Sequence, residues 1–127
     1  MIYIIMKKKS IYIVEDNKDI GFILQYFLSD EGFDVELFET SAAFHTRLLL
    51  KVPDLFLLDV MLPDGDGLEI CSEIKHDSCY KEKPVLLMSA HLPSEFERSK
   101  SCANSFIAKP FDLFVILNRV NEFLPAA

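Results

Sequence analysis

Positive charge is scarce in this 127-residue chain, where 13 lysines and arginines face 20 aspartates and glutamates for a formal net charge of −7. Binding to a nucleic-acid backbone grows with the number of phosphates that cations neutralise. Apart from Lys7-Lys8-Lys9 the cations here are scattered, so no nucleic-acid contact is expected of this domain by itself. Long apolar runs are lacking too. Met1 to Ile5 is far too short to span a bilayer, and it precedes the lysines, which reverses the order of a secretory signal. No membrane partner is expected, and the expected location is cytoplasmic. Cysteine is sparse and odd in number: Cys71, Cys79 and Cys102 have neither CxxC nor metal-ligand spacing and read as reduced thiols of a cytosolic protein.

What is abundant is apolar surface, at half of all residues, enough for one core and one domain. Residues 1–7 read as an N-terminal extension and 8–125 as the domain. Four apolar runs each stop at a polar residue: Ile11 to Val14 at Glu15 and Asp16, Leu55 to Leu58 at Asp59, Val85 to Met88 at Ser89, and Phe106 to Ala108 at Lys109. Continuous apolar runs of this length suit strands of a parallel sheet covered on both faces.

Helical periodicity fills the intervals. Ile20, Ile23, Leu24, Phe27 and Leu28 recur as one face of a first helix that stops at Gly32. Phe33 to Leu37 alternates as a short second strand at the sheet edge. Ser41 is expected to cap a second helix running through Lys51, closed by Pro53 before a strand from Asp54 to Leu58. A third helix is predicted from Gly67 to about His76, a short polar fourth over 94–100, and a fifth from about Asp112 to Leu124. Five such β-α units give a five-stranded doubly wound parallel sheet of order 2-1-3-4-5, a flavodoxin-like (βα)5 fold, with its crevice between the first and third strands.

Three carboxylates, a hydroxyl and an ammonium would then meet at one sheet edge. Asp16 and Asp59 repel as neighbours and call for a cation, and a hard divalent ion held by few carboxylates plus waters describes Mg²⁺. Glu15 would act through water or orient that shell. With charge neutralised by Mg²⁺ and Lys109, the Asp59 carboxylate can attack a phosphoryl group in line, and Ser89 can hydrogen-bond a phosphoryl oxygen. Each residue also has an ordinary role open to it: helix capping for Asp16 and Ser89, a solvated turn for Asp59, a surface position for Lys109. Their joint occurrence at successive strand ends favours the chemical reading.

From about Lys8 to Leu124 the chain resembles the receiver domain of two-component response regulators, the chemotaxis-type single-domain receivers included. Val14-Glu15-Asp16-Asn17 resembles the acidic Mg²⁺-binding pair, and Leu58-Asp59-Val60-Met61-Leu62-Pro63-Asp64-Gly65-Asp66-Gly67 the phosphoacceptor loop. Met88-Ser89-Ala90 is similar to the hydroxyl step and Lys109-Pro110-Phe111 to the lysine-proline step. The resemblance implies Asp59 as the phosphorylated residue, Ser89 and Lys109 as its catalytic partners, and metal ligation by Glu15, Asp16, Asp59 and the Met61 carbonyl. It further implies a cis bond before Pro110 and a switch made of Ser89 and Phe106.

It implies, as partners, a sensor histidine kinase or histidine phosphotransfer protein, and an effector or a second copy met through the fourth helix, fifth strand and fifth helix. The chain would then be a phosphoacceptor switch and not an enzyme, beyond its own phosphorylation and slow dephosphorylation. The alternative is the receiver portion of a longer DNA-binding regulator or other output protein. Cys102 and Ser105 depart from the family's usual residues, and His91 falls where the family tunes phosphoryl lifetime. Leu113 to Leu117 is unusually apolar, which leaves Phe114 and Val115 facing solvent or the fourth helix. Other classes fit less well. A dehalogenase-type phosphatase needs a second acid where Met61 stands, and an FMN carrier needs a hydroxyl-rich loop where Glu15-Asp16-Asn17 stands. The stretch from Asp64 to Gly67 lacks an EF-hand's ligands and reads as a solvated turn.

Overall fold

The computed structural model describes residues 7–91, Ser94, Glu97 and 101–125. Its strands are β1 (Ser10–Val14), β2 (Asp34–Phe38), β3 (Leu55–Asp59), β4 (Met61–Leu62), β5 (Gly65–Asp66), β6 (Val85–Ser89) and β7 (Ser105–Ala108). Its helices are α1 (Lys18–Asp30), α2 (Ser41–Leu48), α3 (Gly67–Lys75) and α4 (Leu113–Phe123). The main sheet is parallel in the order β2-β1-β3-β6-β7, while β4 and β5 pair separately as a small antiparallel hairpin. That is the expected 2-1-3-4-5 order with the hairpin set aside. The helix expected over 94–100 lies largely outside the described residues, so α4 is the fifth helix of the sequence reading.

The apolar strands form because both faces of the sheet are covered. Alternate side chains of β1, β3 and β6 enter two separate cores. Ile11, Ile13, Leu55, Leu57, Leu86 and Met88 pack beneath α1 and α4 with Leu24, Leu28, Ile116 and Val120. Tyr12, Val14, Phe56, Leu58, Val85 and Leu87 pack beneath α2 and α3 with Phe44, Ile70, Cys71 and Ile74. Full burial of each large apolar side chain is worth about 1.5–3 kcal/mol against leaving it in water. The second core is the aromatic one, with Tyr12 meeting Phe38, Phe44 and Phe56 edge to face.

Helix ends follow local chemistry. The Asn17 side chain accepts from the Asp19 and Ile20 N–H groups and starts α1, and Gly32, at φ 101°, ends the turn after it. Asp66 caps α3 and Asp112 caps α4. Two expectations are corrected on α2. Its cap is Thr40, whose hydroxyl accepts from the Ala43 N–H, and Ser41 is instead its buried first residue. The helix also stops at Leu48 and not at Lys51. Leu50 and Lys51 both turn back onto the Arg47 carbonyl, Leu49 and Leu50 stay exposed, and Val52 is drawn out of the helix by the following Pro53.

Candidate functional site

The register of the sheet gathers the strand ends. Val14 lies beside Leu58, Asp59 beside Met88, and Ser89 beside Ala108, so the residues that follow each run emerge at one edge. Backbone bonds carry the alignment past the strands: the Glu15 N–H donates to the Phe38 carbonyl, Val60 to Met88, and Lys109 to Ser89. A cleft of about 330 Å³ opens there, lined by Glu15, Asp16, Asp59, Met61, Ser89 and Lys109 among others.

Carboxylate oxygens of Glu15, Asp16 and Asp59 lie within 4.8 Å of one another. The Lys109 ammonium donates to Glu15 Oε1 at 2.6 Å and to Asp59 Oδ2 at 2.9 Å. Asp59 Oδ1 also accepts from the Met61 N–H at 3.3 Å. Glu15 and Asp59 are buried, whereas Asp16 stands exposed at the mouth. Burial raises the Glu15 carboxyl to about 7, helped by its hydrogen bond with Asp59 and opposed by Lys109. Burial pulls the Lys109 ammonium down, but its hydrogen bonds to Glu15 and Asp59 outweigh that and leave it raised.

Charges about 4 Å apart interact with roughly 4 kcal/mol at the effective dielectric of such a site. One ammonium therefore leaves three clustered carboxylates under-compensated. The donor set is all hard oxygen, open to solvent on the Asp16 side, and fits a small divalent cation such as Mg²⁺.

The ordinary roles open to these residues are taken by others or left unfilled. Asn17, not Asp16, caps α1. Asp59 is buried at a strand end and not in a solvated turn, and Lys109 is held by two carboxylates. The Met61 side chain is exposed, and its N–H bonds the Asp59 carboxylate at the cleft. Ser89 points elsewhere: its hydroxyl donates to the His91 carbonyl at 2.8 Å and accepts from the His91 N–H at 3.1 Å. Phe106 is half-buried on β7 against the aromatic core, and the Lys109–Pro110 bond is cis.

The sequence missed two features. Asp64, read as part of a solvated turn, accepts from the Ser41 N–H at 2.7 Å and the Ala42 N–H at 3.0 Å, tying the β4–β5 hairpin to the start of α2. Its acid-turn-acid pattern could have signalled a cap, but the helix it serves lies 23 residues earlier. Gly67 is the second. A β-carbon there would collide with the Asp59 carbonyl oxygen, so α3 starts flush against the backbone of Asp59.

A larger groove, about 660 Å³, runs along β7 and α4 past Phe106, Val115 and Arg119. Its one carboxylate, Asp112, is engaged as the α4 cap, so the chemistry belongs to the smaller cleft.

Comparison with known proteins gives the family. The family model described as response regulator receiver domain matches residues 11–121. The transcriptional regulatory protein CreB of Escherichia coli strain K12 is 34% identical over 122 residues, covering 94% of this chain and 52% of its own. The chain spans about half the length of the curated relatives it matches. Among solved structures, the receiver domain of a signal transduction histidine kinase from Syntrophus aciditrophicus has a TM-score of 0.83 at 30% identity, covering 91% of this chain and 89% of that one. Response regulator TrrA of Thermotoga maritima, in complex with Mg²⁺ and BeF, has a TM-score of 0.77 at 25% identity, covering 91% of this chain and 98% of that one. Among the described residues no helix is long and apolar enough to cross a membrane.

Proposed function

The chain belongs to the response regulator receiver domain family, and from that membership we propose that Asp59 is its phosphoacceptor. The observation that carries this is the Lys109 ammonium lying between Asp59 and Glu15 at 2.9 and 2.6 Å, with Asp16 in reach. In the proposed reaction an Asp59 carboxylate oxygen attacks the phosphorus of a phosphohistidine on a sensor kinase or phosphotransfer protein. An O–P bond forms, the P–N bond breaks, and the histidine leaves with the electron pair. Glu15, Asp16, Asp59 and the Met61 carbonyl would hold Mg²⁺, which supplies charge neutralisation for the incoming phosphoryl oxygens. Lys109 keeps its ammonium beside Asp59 and pairs with a phosphoryl oxygen.

Ser89 must leave His91 to reach that group. The vacated space and the new charge bias a two-state element that includes Phe106. This chain is then a cytoplasmic phosphoacceptor switch and not an enzyme acting on separate substrates. A second reading, in which the chain signals to a transcriptional output, rests on its likeness to the transcriptional regulatory protein CreB.

The decisive test is intact mass after incubation with acetyl phosphate and Mg²⁺. The parent protein gains one phosphoryl group and Asp59→Asn gains none; a full adduct on the variant would overturn the assignment.

The output surface is proposed at β7 and α4, where Val115 lines the larger groove and is exposed, and Phe114 is exposed on the side of α4 that meets Phe27 of α1 edge to face. Exposed aromatics of this kind anchor protein contacts. A Phe114→Glu, Val115→Lys double variant is expected to keep its fold and its phosphorylation but lose phosphorylation-dependent self-association or effector capture. Unchanged sedimentation with beryllium fluoride together with unchanged pull-downs would show the surface inert.

A further inference from the structure

The site leaves one reactive pair unused. Cys71 on α3 is fully buried in the aromatic core, and Cys102, in the segment ahead of β7, is half-buried against the same core. Their Sγ atoms lie 2.7 Å apart across 31 residues of sequence, while Cys79 is exposed elsewhere. Sulfurs already in mutual reach can be bridged without carrying either backbone across a gap. We propose that Cys71 and Cys102 are a modification site, a peroxide-sensitive pair that closes into a reversible intramolecular disulfide tying α3 to the segment that leads into β7.

Exposure sets the order of events. Burial pushes the Cys71 thiol far above its ordinary range, so it is a poor first nucleophile toward an oxidant in solution. Cys102 is the partner solvent reaches. Its thiolate attacks one oxygen of hydrogen peroxide; the S–O bond forms, the O–O bond breaks, a sulfenic acid results, and the departing hydroxide takes up the proton the thiol had released to become water. Cys71 Sγ then attacks Cys102 Sγ; the S–S bond forms, the S–O bond breaks, and the departing hydroxide takes the Cys71 proton as a second water. Two thiols and one peroxide become one disulfide and two waters, both sulfurs oxidised and both peroxide oxygens reduced. A reducing cytosol restores the thiols, which suits a transient bridge better than a structural one. The bridge would anchor the chain four residues ahead of Phe106.

The test treats the reduced protein with hydrogen peroxide, denatures it in an alkylating agent and reads intact and peptide masses. The expected result is loss of two hydrogens, alkylation at Cys79 alone, and a Cys71–Cys102 linked peptide, all reversed by dithiothreitol. Cys79→Ser should keep the linkage and Cys102→Ser should abolish it; if Cys102→Ser does not fold, the Cys79→Ser chain with its two remaining thiols still decides. Three labelled thiols after oxidation would overturn the proposal. So would a sulfinic acid on Cys102 beside an alkylated Cys71, or cross-links running through Cys79.

Discussion

At the end of the sheet where the strands begin, Asp54 accepts from the Ser10 N–H at 2.8 Å and draws Lys83 to 3.9 Å, while its own N–H bonds the Ser10 carbonyl. The Tyr12 hydroxyl donates to the Lys51 carbonyl at 2.7 Å. One acid there has a backbone donor and a cation. At the opposite end three acids cluster and the one ammonium among them bonds only Glu15 and Asp59. The same fold thus uses carboxylates in two ways. Where the acid is matched, it joins neighbouring segments; where acids outnumber their partners, the deficit is what the proposed function assigns to a cation and a phosphoryl group.

The largest effect should come from the unmatched end. Asp16→Ala removes no cap and buries nothing new, yet it should abolish Mg²⁺ binding and reduce labelling by acetyl phosphate to background. Labelling by that variant at the parent rate, with or without EDTA, would mean the acids do not act together. Asp54→Ala should do the reverse. It strands the Ser10 N–H and should cost about 1–2 kcal/mol, read as a lower denaturant midpoint, with labelling unchanged. A drop in labelling at equal folded fraction would erase the contrast between the ends.

The smallest effect sharpens the contrast from within the functional end. Asp64 lies there but behaves like Asp54, because bonds from the Ser41 and Ala42 N–H groups hold its carboxyl below its ordinary value of 3.8. Its contribution to stability is therefore present above that value and is lost as pH falls through the depressed one. A proton titration by NMR should place its midpoint below 3.8, and the stability gap between the parent and Asp64→Asn should narrow in acid. A gap that widened in acid would show the bonds are not formed in solution.

The strand ends were legible because a parallel sheet of this order turns sequence position into place. Once Leu55 to Leu58 and Phe106 to Ala108 read as strands, Asp59 and Lys109 had to emerge at the same edge as Glu15 and Asp16. The helix faces of Leu24, Leu28, Ile116 and Val120 were legible for the same reason of period. Other features carried no such signal. The β4 and β5 strands are two residues each, too short for any alternation to appear. Thr40 and Ser41 are adjacent hydroxyls that only backbone geometry can tell apart as cap and first residue. Leu49 and Leu50 prolonged an apolar pattern while lying outside the core. The bonds between Ser89 and His91, and the meeting of Cys71 with Cys102, depend on loop paths that period does not encode.

The ion pair between Glu15 and Lys109 joins residues 94 positions apart. Contacts of such long separation form late, after the closure entropy of the intervening chain has been met. A chain emerging during synthesis can assemble β1 and β3, and bring Asp16 beside Asp59, long before β7 exists. Until the last strand docks it carries those acids without their ammonium; on the proposed reading, Asp59 then lacks the counter-charge that would receive a phosphoryl group. On the proposed roles of Asp59 and Lys109, competence to be signalled to is in this way tied to completion of folding.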